Sequence, residues 1–463
     1  MNGRKSPGID ETIAQFLKSF HKPARLLVAV SGGGDSIGLL LALDDALKAG
    51  RFGGFSLLAC TIDHALRANS ADEARWVAAL CARRGISQVS RRWDGPKPAA
   101  GIQAAARDAR HALLSEVARD NNADAILTAH SRDDQLETIA MRKARRSEGA
   151  GLAGIASATL VFGSTWVLRP LLDVPRADIR AYLQAIGQDW IEDPSNLNRT
   201  FERVRVRLDG MDGGAGAAMS TDAAEAGDPA RASELRMQTS HQGAAFLSGQ
   251  VRVFDAAFAR LPASAVPALL GGKPEWRALL ALVAVLGGRE HQLETDASER
   301  LRVFLESARL SRMTAGRVVF DRRREGLFLY REHRDIAPVT VAPHDRSIWD
   351  SRWRVHNRSS GELIVRAAAD AHEHSIAADD VPSGVVRRVA RSRPLVLAGD
   401  ERAGPDRFSL EPVLSPYDRY LPVFDLPLAQ AIAALFAVPP YPAPPIRLGC
   451  DDSRCGENRP GGA

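Results

Sequence analysis

Residues 27–40 read LVAVSGGGDSIGLL, and this stretch constrains the fold more than any other. An apolar run is followed by a serine, three glycines, an aspartate and a second serine, and then by another apolar run. The first run suits a strand buried on both faces and the second suits a buried helix, so the glycines must turn the chain sharply between them. A linker would have no reason to be flanked by two buried segments.

The same alternation continues to about residue 208. Short apolar runs at Leu26 to Val30, Ser56 to Ile62, Ala123 to Ala129 and Trp166 to Leu168 alternate with segments of helical period such as Ser70 to Arg84 and Gln103 to Arg119. This pattern predicts an α/β fold, a doubly wound parallel sheet covered by helices on both faces. Ligands of such sheets bind beyond the carboxyl ends of the strands, where the glycine stretch lies.

Residues 209–245 are rich in Gly, Ala, Ser and Asp and predict a flexible connector. Residues 246–330 read as mostly helical, through FDAAFARL, WRALLALVAVL and ASERLRVFLESARL, and end in a strand pair, GRVVFDRRREGLFLYRE. Residues 331–415 read as β-rich, and 416–463 as a Pro/Gly-rich tail.

A chain of 463 residues with a formal net charge of +5 can bind an acidic polymer, but the charge does not demand it. Cys60, Cys81, Cys450 and Cys455 form no C-x-x-C pair, which argues against a disulfide framework or a zinc knuckle and fits a reducing cytoplasm. No apolar run approaches the ~18 residues of a membrane helix, and the first residues contain no apolar leader core. A cytoplasmic protein without a membrane segment is expected.

Ser31, Gly32, Gly33, Gly34, Asp35 and Ser36 stand between a strand and a helix, where glycine N–H groups can turn inward and the helix N-terminus favours an anion. The loop is not a Walker motif, because no Gly-Lys-Ser/Thr follows, and Ile37 breaks a dinucleotide fingerprint begun at Gly32. Its form, S-G-G-x-D-S, resembles the pyrophosphate loop of the N-type ATP pyrophosphatases. That resemblance implies cleavage of ATP between its α and β phosphates, with Asp35 acting through Mg²⁺.

Further segments follow in order. Thr61 to Arg67 (TIDHALR) closes the second strand and brings Asp63 and His64 to the same sheet edge. Gly101 to Arg107 (GIQAAAR) opens a helix. Thr128 to Thr138 (TAHSRDDQLET) sets His130 at a strand end, then Asp133, Asp134 and Glu137 at spacings that share one helical face. Arg169 to Leu172 (RPLL), Glu192 to Asn196 (EDPSN) and Phe201 to Arg207 (FERVRVR) complete the series.

Taken together, over roughly residues 24 to 208, these motifs resemble the tRNA(Ile)-lysidine synthase family. LSRMTAGRVVFDRRREGLFLYRE and IWDSRWRV also resemble segments of that family's C-terminal part. Val204 stands where the family usually has Asn, and Arg145 to Gly149 replace its R-G-S-G. The resemblance implies a catalytic ATP pyrophosphatase domain over 1–208 and tRNA-binding residues within 246–330. It implies that ATP adenylates O2 of the wobble cytidine of tRNA(Ile) with a CAU anticodon. The ε-amine of free L-lysine then displaces AMP.

By the same resemblance Ser31 to Ser36, Asp63 and His64 bind ATP. Asp35, His130, Asp133, Asp134 and Glu137 are catalytic, and Arg107, Arg203 and Arg207 contact tRNA or phosphate. ATP and Mg²⁺ are the implied cofactors. Two other readings stay open on the residues: a tRNA cytidine 2-thiolation enzyme with the same loop, and a non-catalytic nucleotide-dependent tRNA-binding protein.

Overall fold

The computed structural model describes residues 8–66, 70–95, 97–144, 149–192, 229–307, 309–368 and 381–448. The chain divides into two compact units, one running to Arg236 and rejoined by residues from Ala443, the other spanning Met237–Pro442. Among the described residues no helix is long and apolar enough to cross a membrane.

The first unit is built on strands β1 (Arg25–Ala29), β2 (Ser56–Asp63), β3 (Ser87–Arg92), β4 (Ala125–Leu127), β5 (Ala158–Val161) and β6 (Thr165–Leu168), in the order β5-β6-β4-β1-β2-β3. β1 runs parallel to both β2 and β4, β2 to β3 and β4 to β6, while β5 and β6 form an antiparallel hairpin. The expected parallel α/β sheet is present. Leu26, Leu27, Val28, Ala125, Ile126 and Leu127 are fully buried, as strands covered on both faces must be.

The chain moves from β1 to β2 and β3 on one side, then returns to place β4 on the other side of β1. That reversal opens a crevice between the carboxyl ends of β1 and β4, the usual ligand position in such sheets.

The covering helices are α1 (Ile9–Lys18), α2 (Gly34–Lys48), α3 (Ser70–Arg84), α4 (Ile102–Asp120), α5 (Arg132–Ala144) and α6 (Arg176–Ala185). α2 and α6 approach closely because position 38 has no side chain: a Cβ on Gly38 would lie 2.3 Å from Ile179 Cγ2. Gly38 is one helical turn beyond Asp35, and Ile179 one turn beyond Arg176, so the same approach brings those two charges together.

The structure differs from the sequence expectation in three places. Pro229–Gln250 is a helix, α7, where the second half of the 209–245 connector was expected. Its small residues allow packing: Ser240, Gly243 and Leu247 are buried, and a Cβ on Gly243 would lie 3.0 Å from that of Ala278.

FDAAFARL is a hairpin, not a helix. β7 (Arg252–Phe254) and β8 (Phe258–Leu261) are joined by Asp255 and Ala256 at positive φ, Phe254 stacks on Phe258, and β8 pairs with β11 (Gly326–Arg331). Alternation in a short apolar run suits either structure, and the distant pairing decides it.

The expected tail from 416 contains a helix at Leu426–Leu435, buried through Leu428, Ala429 and Ile432. The connector residues 209–228 and the last residues, with Cys450 and Cys455, lie outside the described residues.

The expected strand pair is present in the second unit as β10 (Val318–Arg323) and β11, with β9 (Arg312–Ala315) antiparallel to β10 on its other side. The two C-terminal segments that resemble the family converge there on Asp350, whose side chain is 1% exposed. Arg331 Nε lies 3.0 Å and Arg352 Nε 2.6 Å from its Oδ2, and Arg317 pairs with Oδ1. Arg331 and Arg352 are themselves buried, so removing the carboxylate strands their charges. Asp350→Asn is expected to destabilise the second unit by about 3–5 kcal/mol, measured by urea denaturation, with the parallel sheet of the first unit little affected.

Candidate nucleotide-binding and catalytic site

The turn after β1 has the form its sequence requires. Gly32 sits at φ +87°, a region costly for residues with a Cβ, and a Cβ there would also lie 2.8 Å from Ile191 Cδ1. The Ile191 N–H donates to Gly32 O at 2.9 Å, and the Trp190 indole lies 3.4 Å from where a Gly34 Cβ would be. Trp190 and Ile191 therefore strap the loop from outside.

Within the loop the Ser36 hydroxyl donates to Gly33 O at 2.9 Å and accepts from the Ser31 N–H at 3.1 Å. α2 begins at Gly34, and its first-turn N–H groups have no intrahelical acceptors. With the helix dipole they make an anion receptor of phosphate type.

Beside the loop, at the other wall of the crevice, α5 presents its acids. The structure brings Asp35, Asp133, Asp134 and Glu137 together around one cation that the sequence reading missed, Arg176. Its Nε donates to Asp35 Oδ2 at 3.0 Å and its Nη2 to Asp134 Oδ1 at 3.3 Å, while Nη1 lies 3.8 Å from Glu137 Oε1. Its main-chain N–H donates to Asp133 Oδ2 at 2.8 Å.

A signal was available in the sequence. Arg176 is the first residue of α6, where the helix dipole disfavours a cation, so some other interaction must retain it there. Asp134 has a second task, since its Oδ2 accepts from both the Ser131 N–H and hydroxyl. Gln135, in the same motif, is structural: its side chain bonds Ile155 through both main-chain groups and holds the loop before β5.

Three of the remaining expected residues stand at the carboxyl ends of the strands, His130 after β4 and Asp63 and His64 at the end of β2. The Thr128 hydroxyl meets His130 Nδ1 at 3.1 Å and orients the ring at the end of β4. Asp63 Oδ1 accepts from the Ala65 N–H at 2.7 Å. Burial acts upward on the Asp63 carboxyl, but hydrogen bonds from Ser70 and Ala65 outweigh it and hold it below the usual range. His64 packs edge-on to Trp93, and burial followed by the Arg110 charge lowers its pKa, so it is neutral at physiological pH. Arg107 is exposed on α4. Arg203 and Arg207, with Val204, lie outside the described residues.

Among the described residues no group of three His, Cys, Asp or Glu side chains is arranged to hold a metal ion. Asp35 offers hard oxygen donors next to the phosphate receptor, and this donor set fits Mg²⁺ arriving with a triphosphate rather than in a protein cage.

Burial raises the Asp35 carboxyl above its ordinary value, against the pull of Arg176 and with the help of Asp134 and Asp133. The folded protein thus holds this proton more tightly than the unfolded chain. The contribution of Asp35 to stability is full below the ordinary value of 3.8 and is lost as pH rises through the folded pKa. Asp35→Asn is therefore expected to be more stable than the parent at neutral pH, with the difference shrinking toward and below pH 3.8, in denaturation curves recorded across that range.

A family model described as the PP-loop domain matches residues 6–211. The chain is 43% identical over 462 residues to the tRNA(Ile)-lysidine synthase of Rhizobium meliloti (strain 1021), covering 94% of this chain and 97% of that protein. It is 39% identical over 446 residues to the protein of the same name from Mesorhizobium japonicum, covering 91% and 94%, and 34% identical over 429 residues to that from Brucella canis, covering 88% and 94%. Similarity of this extent runs through both units, well beyond the phosphate-binding loop. The chain is an ATP-binding enzyme of ligase type and belongs to the tRNA(Ile)-lysidine synthase family.

Proposed function

We propose that the protein joins L-lysine to C2 of the wobble cytidine of tRNA(Ile) bearing a CAU anticodon, through an adenylated tRNA intermediate. The observation that carries this reading is the phosphate receptor of α2 set against the carboxylates gathered on Arg176. One part suits a nucleotide triphosphate and the other suits a cationic amine.

In the first step cytosine O2 attacks the α-phosphorus, the bond to the β-phosphate breaks, and pyrophosphate leaves. The Ser31 to Ser36 loop holds the phosphates by backbone N–H groups fixed before the nucleotide arrives, so little reorganisation is needed as charge shifts. Asp35 is the carboxylate that would hold a magnesium ion bound with the triphosphate, which would supply further charge neutralisation. Asp63 and His64 line the nucleotide side, the neutral imidazole adding no charge of its own.

In the second step the lysine nitrogen attacks C2 and the C2–O2 bond breaks, so AMP departs carrying the former base oxygen. Free lysine has a pKa of about 10.4 and arrives protonated. Asp133, Asp134 and Glu137 attract the ammonium, and a carboxylate among them takes its proton as the amine becomes a nucleophile. His130, oriented by Thr128, stands beside this group. Two steps with good leaving groups replace one displacement of a poor one. Arg107, Arg203 and Arg207 are assigned to RNA or nucleotide phosphates.

The thiolation alternative is disfavoured by the two thiols among the described residues, Cys60 and Cys81. Burial pushes Cys60 up to about 12 and Cys81 up to about 11, which suppresses the thiolate that sulfur transfer requires.

Purified protein incubated with ATP, Mg²⁺, labelled lysine and the CAU-anticodon tRNA is expected to release AMP and pyrophosphate and to transfer label to the RNA. Asp35→Ala should lower AMP release by about two orders of magnitude or more while tRNA affinity stays within about twofold. Absence of labelled RNA with the parent protein would refute the ligation, and undiminished turnover in Asp35→Ala would remove Asp35 from the chemistry.

A further inference from the structure

The second unit contains two small sheets packed on each other. One has the order β12 (Val339–Val341), β15 (Leu363–Ala367), β16 (Pro394–Ala398) and β17 (Glu401–Arg402), and the other the order β13 (Arg346–Trp349), β14 (Trp353–Asn357) and β18 (Phe408–Pro412). Buried positions alternate with more exposed ones along the start of β15 and the whole of β14, so each sheet turns one face inward. Leu363, Val365 and Val396 of the first sheet and Trp349, Trp353 and Val355 of the second share one core.

The packing is incomplete toward β16, β17 and β18. A cavity of about 420 Å³ opens there, with apolar walls that include Trp353, Leu395, Phe408 and Leu410. Packing flaws seldom exceed one water molecule, whose share of the liquid is about 30 Å³, whereas pockets that take a ligand run to ~300–1,000 Å³. The size is that of a binding pocket.

Asp255, Arg393 and Arg402 complete the lining. Arg393 Nη1 donates to Asp255 Oδ2 at 2.8 Å, which ties the residue before β16 to the turn of the β7–β8 hairpin. The Asp255 side chain is 50% exposed and Arg402 is exposed on β17, while Trp353 and Leu395 are buried. Two guanidinium groups thus stand against one carboxylate at the solvent side of an otherwise apolar pocket.

Two donors of the lining are also unsatisfied. Trp353 Nε1 and Arg393 Nε are buried and have no hydrogen-bond partner among the described residues. A buried indole N–H ordinarily finds an acceptor, and leaving one unmet costs free energy that a ligand acceptor recovers.

These features select the ligand. A hydrocarbon fills the walls and leaves the donors unused, and an inorganic anion meets the guanidinium groups and leaves the walls bare. A flat heteroaromatic ring with acceptors along its edge and a phosphate attached uses both, since bases stack on aromatic side chains and arginine forks match phosphate. We propose that this cavity binds a nucleotide, its base against Trp353 and Phe408 and its phosphate at Arg393 and Arg402. The site is built wholly from the second unit, shares no residue with the Ser31 to Ser36 loop and does not rest on the ligation reading. The same chemistry reaches it as a free mononucleotide or as an unpaired nucleotide of an RNA.

The test is photo-crosslinking of the full chain with 8-azido-AMP, followed by mass-spectrometric mapping of the labelled peptides. Labelling of the peptides that contain Ser31 to Ser36 serves as the internal control. Two variants are compared with the parent after circular dichroism confirms folding: Leu410→Trp, which fills the cavity, and Arg402→Gln, an exposed position that decides alone if Leu410→Trp does not fold.

Saturable labelling of peptides carrying Trp353, Leu395 or Phe408 is expected, with unlabelled AMP protecting and ribose 5-phosphate, which lacks the base, failing to protect. Half-saturation should move about tenfold higher in Arg402→Gln, the loss of one charge-assisted contact, and labelling of the cavity should vanish in Leu410→Trp, with the loop peptides labelled as before. Protection by a short single-stranded RNA at lower concentration than AMP identifies the RNA as the source, and the reverse order identifies the free nucleotide. The site is overturned if the cavity peptides take no saturable label, if ribose 5-phosphate protects as well as AMP, or if half-saturation in the folded variants stays within twofold of the parent.

Discussion

Carboxylates do not gather at one edge of a buried sheet unless a cation holds them there. Arg176 is that cation: one guanidinium reaches Asp35 from α2 and Asp134 and Glu137 from α5, and its own N–H fixes Asp133. Placing it at the first residue of α6 opposes the helix dipole, a cost offset by charge-assisted hydrogen bonds in a partly desolvated place. Even so, burial dominates at Asp35, whose carboxyl remains raised. The close approach of α2 and α6 at Gly38 is the packing that makes this arrangement possible, so a glycine in mid-helix serves the chemistry one turn away.

Much of the first unit was legible because its signals are local. The apolar runs at β1, β2, β4 and β6 are strands, the glycine turn ends where α2 begins, and the acids of α5 share the face their spacing requires. What was not legible depends on distant partners. β3, Ser87–Arg92, is an edge strand of mostly polar residues that pairs with β2 and carries no apolar run. FDAAFARL has no local preference strong enough to exclude a helix, and its pairing with β11 decides against one. Trp190 and Ile191 carried no motif, and their role appears only where the chain returns to the glycine loop.

The second unit depends on a buried charge in a different way. The Asp350 carboxylate is met by three arginines, of which Arg331 and Arg352 are buried with it and Arg317 stands at the more exposed side. Its partners come from the turn before β10, the end of β11 and the residues just after Asp350 itself. This explains why LSRMTAGRVVFDRRREGLFLYRE and IWDSRWRV form a recognisable pair in the sequence: they are two halves of one ion cluster. Such a cluster contributes little net stability compared with apolar packing, but it admits few alternative arrangements.

The strap formed by Trp190 and Ile191 sets an order of events during synthesis. The glycine turn is made early, yet Gly32 finds the N–H of Ile191, and Asp35 finds Arg176 at a separation of 141 residues, only once the chain has grown past α6. Contacts of such long range form late in folding because the loop they close must first lose its entropy. A nascent chain therefore carries the phosphate-binding sequence for much of its synthesis without a finished site. Nucleotide binding becomes possible when the first unit is nearly whole.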